Sequence, residues 1–257
     1  MTARLVQPLR KAAEGITTRV AFHAVRGFCA LRPAQARALP PGTKAVSITF
    51  DDFPASSVEV GGQLIADAGG RATYYCCLSK LGLSDGFEVR HLDQLGEMGH
   101  ELACHSFDHP NLLFEPDWRV VASVDENARA LERLGRGAFA PHFAFPYGMF
   151  RPSARSLLAT RFRSLRTIHA GVHHGSVDLM TLSSSPLLRD TSMSWIEQQL
   201  DAVATRGGWL TLYTHEVTAN PTAYGTTPEA LRQVLASCRT RQIELCSVGE
   251  MVARLGG

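Results

Sequence analysis

The chain has 257 residues, of which 45% are hydrophobic, and a formal net charge of +2. This length allows one large domain or two modest ones, and the composition is typical of a protein with an ordinary soluble core. The net charge is too small to indicate nucleic-acid binding, and arginines interrupt the apolar runs near the N-terminus, which argues against a membrane-spanning helix and a secretory signal.

Basic residues concentrate at the start of the chain. Residues 1–44 carry eight lysines and arginines and one acidic residue, Glu14. Apolar side chains at helix-compatible spacing predict a helical segment here that docks on the rest of the chain, mediates self-association or lies on an anionic membrane surface; a solvated arm is an equal alternative. We therefore divide the chain into a basic N-terminal segment, 1–44, and a second unit, 45–257. We expect the protein in the cytoplasm, either free or peripheral to the inner face of the membrane.

After the boundary LPPGTK, short β-rich runs alternate with longer helical patterns. The predicted strands are 45–50, 72–78, 100–106, 142–146, 163–168, 209–215 and 243–248, and the predicted helices are 86–99, 117–135, 194–207 and 227–241. This alternation indicates a parallel sheet, because a parallel return needs a crossover long enough to hold a helix. About seven such units favour a (β/α) barrel, and an open doubly wound sheet is the alternative.

The six cysteines form no CxxC pair and no disulfide spacing typical of a small secreted domain. Several lie in apolar runs such as TYYCCL and IELCSV. We therefore expect buried, reduced thiols with a packing role in a reducing compartment.

Polar residues follow several of the predicted strands directly. Asp51 and Asp52 come after the first strand, His105 and His109 after the third, and His215 after the sixth. Functional groups of parallel α/β folds gather at the carboxyl ends of strands, so these side chains are expected on one face. Taken alone, the acidic pair is compatible with a helix cap, and the two histidines with partly exposed positions on a turn.

Together, the same residue types indicate a catalytic metal site. A carboxylate and two imidazoles form a three-ligand set that leaves positions open for water and substrate, whereas structural zinc sites are closed by four protein ligands. A metal bound in this way lowers the pKa of water and polarises a carbonyl oxygen. Hydrolysis also needs a base and an acid, and the spare aspartate and His215 are candidates. The inventory fits hydrolysis of an amide or ester.

Four motifs carry a resemblance to a known family. In chain order they are TFDD (Thr49–Asp52), HSFDH (His105–His109), FPYG (Phe145–Gly148) and LYTH (Leu212–His215). They resemble the signature motifs of the polysaccharide deacetylases, carbohydrate esterase family 4, over about residues 45 to 250. The resemblance implies a distorted (β/α) barrel of about seven parallel strands, in agreement with the alternation above. It also implies removal of acetyl groups, usually from N-acetylglucosamine-type sugars, with zinc or another divalent ion.

The resemblance assigns a role to each matching residue. Three residues correspond to the family's metal ligands: Asp52, His105 and His109. Asp51 corresponds to the catalytic base, His215 to the general acid, and Tyr147 to the residue whose backbone N–H helps to stabilise the oxyanion. On this scheme a water activated by the metal attacks the acetyl carbonyl, Asp51 accepts its proton, and His215 protonates the leaving sugar nitrogen. Acetate and a free amino sugar result.

Two departures from the family pattern concern the catalytic groups. The third motif of the family often begins with an arginine that orients the catalytic aspartate, and this chain has Ala144 there. Arg166, at the end of the next predicted strand, is our candidate replacement; an ion pair at the barrel rim is the alternative. The family's Asp-Trp motif, which supports the acidic histidine, has no evident counterpart, and Asp178 and Asp190 are the candidates for that role.

The leading hypothesis is a metal-dependent deacetylase of an N-acetylated poly- or oligosaccharide, or of its lipid-linked precursor, similar to intracellular exopolysaccharide-tailoring deacetylases. The alternatives are an amidohydrolase of a small amide and a non-catalytic glycan-binding barrel. Expected partners are the glycan and, through residues 1–44, a membrane surface or a second copy; no nucleic acid is expected. Two loops are candidate substrate contacts or simple connections: GVHHGSVD, with His173 and His174, and HEVTANPTAYG, with Tyr224.

Overall fold

The computed structural model of the protein describes Gly27 and residues 34–256. Most of the predicted basic N-terminal segment, with its proposed docking, self-association and membrane contacts, therefore lies outside the described residues. Its last part packs on the rest of the fold, because Ala36–Ala38 pairs antiparallel with Ser176–Asp178 and Leu39 is buried. None of the helices in the described part of the chain is long and apolar enough to cross a membrane.

The seven predicted strands are all present. The strands of the described residues are β1 (Ala36–Ala38), β2 (Lys44–Asp51), β3 (Thr73–Cys76), β4 (Glu101–Cys104), β5 (Ala140–Ala144), β6 (Ser164–Arg166), β7 (Val172–His173), β8 (Ser176–Asp178), β9 (Ser185–Pro186), β10 (Gly208–Thr214) and β11 (Glu244–Leu245). The sequence did not predict β1, β7, β8 and β9, because strands this short are too brief to show an alternating pattern.

The four predicted helices correspond to α2, α3, α5 and α6 in the following numbering. The helices of the described residues are α1 (Gln63–Asp67), α2 (Val89–Glu97), α3 (Asp117–Arg133), α4 (Pro152–Leu158), α5 (Met193–Arg206), α6 (Pro228–Thr240) and α7 (Val248–Arg254). Their ends follow the expected chemistry. Thr227 caps α6 by accepting a hydrogen bond from the backbone N–H of Ala230, and Gly207, with φ of 73°, ends α5.

The parallel strands form a curled sheet in the order β6-β5-β4-β3-β2-β10, and β9 pairs parallel with the far edge of β10. The segment leading into β9 joins the two edges. The backbone N–H of Leu182 donates to the carbonyl of Leu165 at 2.9 Å, and that of Ser184 donates to the carbonyl of His169 at 2.8 Å. Residues 182–186 thus serve as a seventh parallel strand between β6 and β10. The predicted distorted (β/α) barrel is confirmed.

In strand β2, alternate side chains face the outer helices and the inside of the barrel. Seven of its eight residues are buried, as expected for a parallel strand covered on both faces. Val46, Ile48 and Phe50 belong to the main hydrophobic cluster, together with side chains of α5 and α6. The alternate positions point into the barrel, because successive side chains of a strand take opposite faces. This parity brings Asp51 to the carboxyl end of the barrel interior.

The cysteines of the described residues are free and buried, as expected; they are Cys76, Cys77, Cys104, Cys238 and Cys246. Burial raises the pKa of the Cys104 thiol to about 11, so this thiol remains protonated and unreactive at neutral pH. Cys29 lies outside the described residues.

His142 on β5 makes the stability of the fold depend on pH. Its side chain is 3% exposed, and Nδ1 lies 2.9 Å from the hydroxyl of Ser164. Burial, with the nearby charge of Arg163, lowers the pKa of His142 to about 4. Between about pH 6.5 and about pH 4, His142 is protonated in the unfolded chain but stays neutral in the folded protein. The contribution of the neutral His142 to the free energy of unfolding is therefore present above about pH 6.5 and is lost as the pH falls to about 4.

We therefore expect His142→Gln to reduce the acid sensitivity of folding. Urea unfolding at about pH 7.5 and about pH 4.5 should show the unaltered protein losing roughly 2.5 kcal/mol more unfolding free energy than the variant between these two values. An equal loss in the two proteins would contradict this assignment.

Candidate active site

The four sequence motifs meet at one end of the barrel. TFDD ends β2, HSFDH follows β4, FPYG follows β5 and LYTH ends β10. Together they surround a cavity of about 490 Å³. The cavity is lined by Asp51, Asp52, Lys80, His105, Asp108, His109, Phe145, Tyr147, Gly148, Ile168, Leu188, Tyr213, His215 and Tyr224. The expected gathering of acids and imidazoles on one face is therefore present.

The backbone is strained at these same motifs. Outside glycine, five of the described residues have a positive φ, and four of them lie in the motifs: Asp52 at 30°, Ser106 at 63°, His109 at 54° and Tyr147 at 58°. The fifth is Gln242 at 55°. Each such residue costs about 1–3 kcal/mol and persists only where the surrounding structure enforces it. Strain concentrated in this way marks the cavity as a functional site.

Three of the motif side chains form a cluster suited to a metal ion. Asp52, His105 and His109 each contribute one ligand atom, and these three atoms lie within 4.8 Å of one another. Nδ1 of His105 lies 2.8 Å from the carbonyl oxygen of Ala144 and donates to it, which leaves Nε2 as the free ligand atom. The sequence prediction that these three residues come together is in agreement with the structure.

The protonation states of the cluster also fit metal binding. Burial lowers the pKa of His105 to about 4 and lowers that of His109, so both imidazoles are neutral at pH 7. Burial alone would raise the pKa of Asp52, but the hydrogen bond and charge of His215, with the two other histidines, hold it below its usual value. A carboxylate and two neutral imidazoles are the forms that ligate a divalent ion.

Asp51, the neighbour of the cluster, forms a buried ion pair with Arg166. Nη2 of Arg166 lies 2.5 Å from both carboxylate oxygens, and the two residues are 115 positions apart in the sequence. The guanidinium is fully buried, and Nη1 also donates to the carbonyl of Thr167 at 3.2 Å. The rim pairing considered from the sequence is therefore wrong, because Arg166 lies inside the barrel.

Neighbouring residues explain why Arg166 can reach Asp51. Arg166 is in register with Ala144 on the adjacent strand, so the two side chains leave the sheet at the same height. Ala144 is small and leaves the space that a longer side chain would fill. The guanidinium carbon lies 5.0 Å from the ring centre of Tyr75 and 5.5 Å from that of Tyr213. These two rings restrict the guanidinium by cation–π contacts.

Removal of this arginine is expected to destabilise the protein strongly. Arg166→Met leaves the buried carboxylate of Asp51 without its partner, so the free energy of unfolding should fall by roughly 3–5 kcal/mol. Urea unfolding of metal-free protein at neutral pH measures the change. In an Asp51→Asn background the same substitution should cost much less, and an equal cost in both backgrounds would contradict the ion-pair explanation.

His215 lines the same cavity and contacts the carboxylate of Asp52. Its Nε2 is 3.2 Å from Oδ1 of Asp52, and its Nδ1 donates to the carbonyl of Tyr224 at 3.1 Å. Burial alone would lower the pKa of His215, but the hydrogen bond to Asp52 and the charges of Asp51 and Asp52 raise it above its usual value. The protonated form that a general acid needs is therefore favoured.

Several residues considered from the sequence lie away from the cavity. His173 is on β7, which pairs with Trp209 and Leu210 at the start of β10, the end opposite to the cavity, so the proposed substrate contact of this loop is wrong. Asp178 caps the turn at Met180, and Asp190 pairs with Arg189. Neither aspartate supports His215; the carbonyl of Tyr224 contacts its ring instead.

Other cavity residues were not identified from the sequence. Lys80 follows β3, and the rule that strand ends carry functional groups would have included it. Leu188 follows β9, a two-residue strand that the sequence did not reveal. Tyr224, in the loop after LYTH, was a candidate and does line the cavity.

Known proteins resemble this chain in both sequence and fold. Residues 38–161 match the polysaccharide deacetylase family. Over 118 residues, which is 44% of this chain, the sequence is 30% identical to a chitooligosaccharide deacetylase of Azorhizobium caulinodans. The match covers 53% of that relative, so the chain spans about half the length of the curated relative it matches.

Two solved structures show how widely the fold is shared. The Bc1960 peptidoglycan N-acetylglucosamine deacetylase has a TM-score of 0.61 at 14% identity, over 84% of this chain and 91% of that chain. A family 4 pseudoenzyme from Bacillus anthracis has a TM-score of 0.54 at 15% identity, over 86% of this chain and 69% of that chain. Likeness at such identities shows the fold alone. In its motifs, in the family match over residues 38–161 and in this barrel, the chain is similar to the polysaccharide deacetylases, carbohydrate esterase family 4.

Proposed function

We propose that the protein is a metal-dependent hydrolase that removes N-acetyl groups from amino sugars of a poly- or oligosaccharide and releases acetate. The observation that carries the proposal is the convergence, in one cavity, of a three-ligand cluster, a carboxylate held by a buried arginine, and an imidazole with a raised pKa. A fold alone is insufficient support, since a pseudoenzyme shares it.

Asp52, His105 and His109 would hold the metal, which we take to be zinc. A divalent ion bound there supplies Lewis-acid polarisation of the acetyl carbonyl and a lowered pKa for water. Tetrahedral zinc accepts nitrogen and carboxylate ligands of this kind, and a three-residue set is typical of catalytic rather than structural sites.

The remaining groups handle protons and charge. Asp51 accepts the proton of the attacking water, and Arg166 holds its carboxylate in one orientation inside the barrel. His215 donates a proton to the leaving sugar nitrogen, which would otherwise depart as an unfavourable anion. The backbone N–H of Tyr147 donates to the oxyanion that develops on the acetyl group. Residues of the cavity thus accept the proton of the water and supply the proton that the nitrogen needs when the C–N bond breaks.

The cavity and the names of relatives support a substrate class. The names of two relatives, a chitooligosaccharide deacetylase and a peptidoglycan N-acetylglucosamine deacetylase, support an N-acetylglucosamine-type sugar. Tyr147 and Tyr224 add exposed rings beside the reacting groups, which suits a pyranose ring. We predict that the natural substrate is an exopolysaccharide or its lipid-linked precursor. We expect the enzyme to act on it in the cytoplasm or at the inner face of the membrane.

The test is acetate release from an N-acetylglucosamine hexamer by zinc-loaded protein, beside a chelator-treated sample and the same sample resupplied with zinc. We expect release that chelation abolishes and zinc restores. A protein that binds one zinc ion tightly but releases no acetate from the hexamer, while it hydrolyses a small acetamide, would refute glycan deacetylation and support the small-amide alternative.

A further inference from the structure

The large exposed hydrophobic side chains of the described residues all lie on one face of the barrel. The large ones are Leu83, Phe114, Trp118, Tyr147 and Tyr224. Each lies in a loop or first helical turn that follows the carboxyl end of β3, β4, β5 or β10. Two of them, Tyr147 and Tyr224, line the cavity. Exposed apolar surface gathered around a cavity indicates a binding surface, because water-exposed rings without a partner are otherwise unfavourable.

Phe114 and Trp118 form the outer part of this surface. They are 67% and 71% exposed, and they flank Pro116, the residue that precedes α3. The two residues are four positions apart, one on each side of the start of the helix. We call Phe114 and Trp118 the outer aromatic pair. Neither residue lines the cavity that holds the groups assigned to catalysis, so the reaction itself does not account for them.

The segment that carries the outer aromatic pair is bonded to a loop that lines the cavity. The backbone N–H of Arg151 donates to the carbonyl of Leu112 at 3.3 Å, and its Nη2 donates to Asp117 at 2.8 Å. Arg151 therefore ties the loop after β4 to the loop after β5, which carries Tyr147. The ring of Tyr147 in turn lies 4.4 Å from that of His109, centre to centre. The loop that carries Tyr147 and the segment that carries the outer aromatic pair are therefore held next to each other.

The charges around this surface favour a neutral ligand. Four basic side chains of the adjoining loops and helix start each have an acidic partner. The pairs are Lys80 with Asp85, Arg119 with Asp108, Arg151 with Asp117, and Arg189 with Asp190. With these positive charges paired, the rim offers little attraction to anionic lipid headgroups or nucleic acid. A neutral glycan fits better, because its pyranose rings carry apolar C–H faces that pack on aromatic rings.

We propose that Phe114 and Trp118 bind a second region of the glycan, one or more sugar units away from the acetyl group that reacts, so that the enzyme prefers oligomers to short sugars. This inference rests on the proposed function for its substrate class. It assigns the outer aromatic pair a role in substrate length selection and none in the chemistry.

The test measures binding separately from turnover. Full-length zinc-loaded protein carrying Asp51→Asn, which is expected to bind without rapid hydrolysis, is titrated with the dimer and the hexamer of N-acetylglucosamine by calorimetry. We expect tighter binding of the hexamer, a roughly tenfold weaker Kd for the hexamer in Trp118→Ala and Phe114→Ala, and an unchanged Kd for the dimer. Trp118→Phe, which keeps a ring, should retain most of the hexamer affinity. Because both residues are exposed, the variants should keep the thermal unfolding curve of the parent.

Acetate release by the same substitutions in the otherwise unaltered enzyme completes the test. A raised KM for the hexamer with unchanged kcat supports the proposal. Three results would each overturn it. The first is equal affinity for dimer and hexamer, and the second is the same hexamer Kd in the alanine variants and the parent. The third is Trp118-dependent partition onto phosphatidylcholine vesicles instead of hexamer binding. Length-dependent binding through Trp118 without acetate release would uphold the outer aromatic pair and refute the proposed function. Acetate release that is unchanged by substitution of Trp118 and Phe114 would support the proposed function and refute the role of the outer aromatic pair.

Discussion

Replacement of Asp51 by asparagine is expected to lower kcat for acetate release by about 1000-fold, with little change in KM. The amide keeps the shape of the side chain but cannot accept the proton of the attacking water at neutral pH. Metal binding should survive, because Asp52, His105 and His109 are untouched. Acetate assays at saturating glycan, beside a zinc titration of the variant, measure both expectations.

A second carboxylate of the same cavity provides the matched control. Asp108 lines the cavity, but its oxygens are engaged by the hydroxyl of Ser123 and by Arg119. Asp108→Asn retains an oxygen that can accept from Ser123, so it should keep most of the activity. Equal losses in the two variants would indicate a general electrostatic effect of the cavity and would contradict the assignment of Asp51 as base. Thermal unfolding curves exclude loss of folded protein as the cause.

Loss of one imidazole from the cluster is expected to remove the metal. His109→Gln should weaken zinc affinity by at least about 100-fold, because even the loss of a group that merely supports a ligand costs 10–100-fold. Competition with a chromophoric chelator measures the affinity without any reliance on turnover. Activity should be lost together with the metal, and excess zinc should restore it partly if the remaining two ligands still bind.

His142→Gln is the control for this experiment, since it removes a buried imidazole of the same barrel that has no place in the cluster. Its zinc affinity should equal that of the unaltered protein. The zinc-loaded unaltered protein should also unfold at a higher temperature than the chelated one, because an ion that binds only the folded state stabilises it. If His109→Gln bound zinc as tightly as the parent, the proposed ligand set would be wrong.

Local pattern was sufficient for much of the fold and for the residue types of the site. Alternating strand and helix signals in 45–257 determined a parallel sheet, because a parallel return requires a crossover. The choice of a barrel over an open doubly wound sheet was decided by residues 182–186, which join β6 to β10. Polar residues that directly follow strand ends determined which side chains meet, since the carboxyl ends of parallel strands share one face. Both inferences use information within a few residues, which is the range over which periodicity and strand parity act.

The helix that follows β2 depended on packing instead. Residues Ser57–Gly62 form a π-helical turn before α1, although two glycines there favour a loop. A Cβ on Gly61 would lie 2.8 Å from the ring of Phe50, and one on Gly62 would lie 3.0 Å from the hydroxyl of Tyr74. A larger residue at either position would force these side chains to move, so glycine favours the close packing of this segment on the sheet. Tertiary contacts of this kind stabilise helices more than local propensity does.

The tertiary structure likewise decided the partner of Asp51 and the location of the outlying histidines. From the sequence, Arg166 was a candidate partner of Asp51 only because Ala144 occupies the position where an arginine is common in the family. Its position inside the barrel depends on strand register, the space beside Ala144 and the rings of Tyr75 and Tyr213. His173, in contrast, was a candidate for substrate contact until the pairing of β7 placed it at the opposite end of β10. Short sequence motifs specify chemistry, whereas register and long-range pairing decide which groups meet. Those contacts join residues far beyond the range of a local pattern, such as Asp51 and Arg166, which are 115 positions apart.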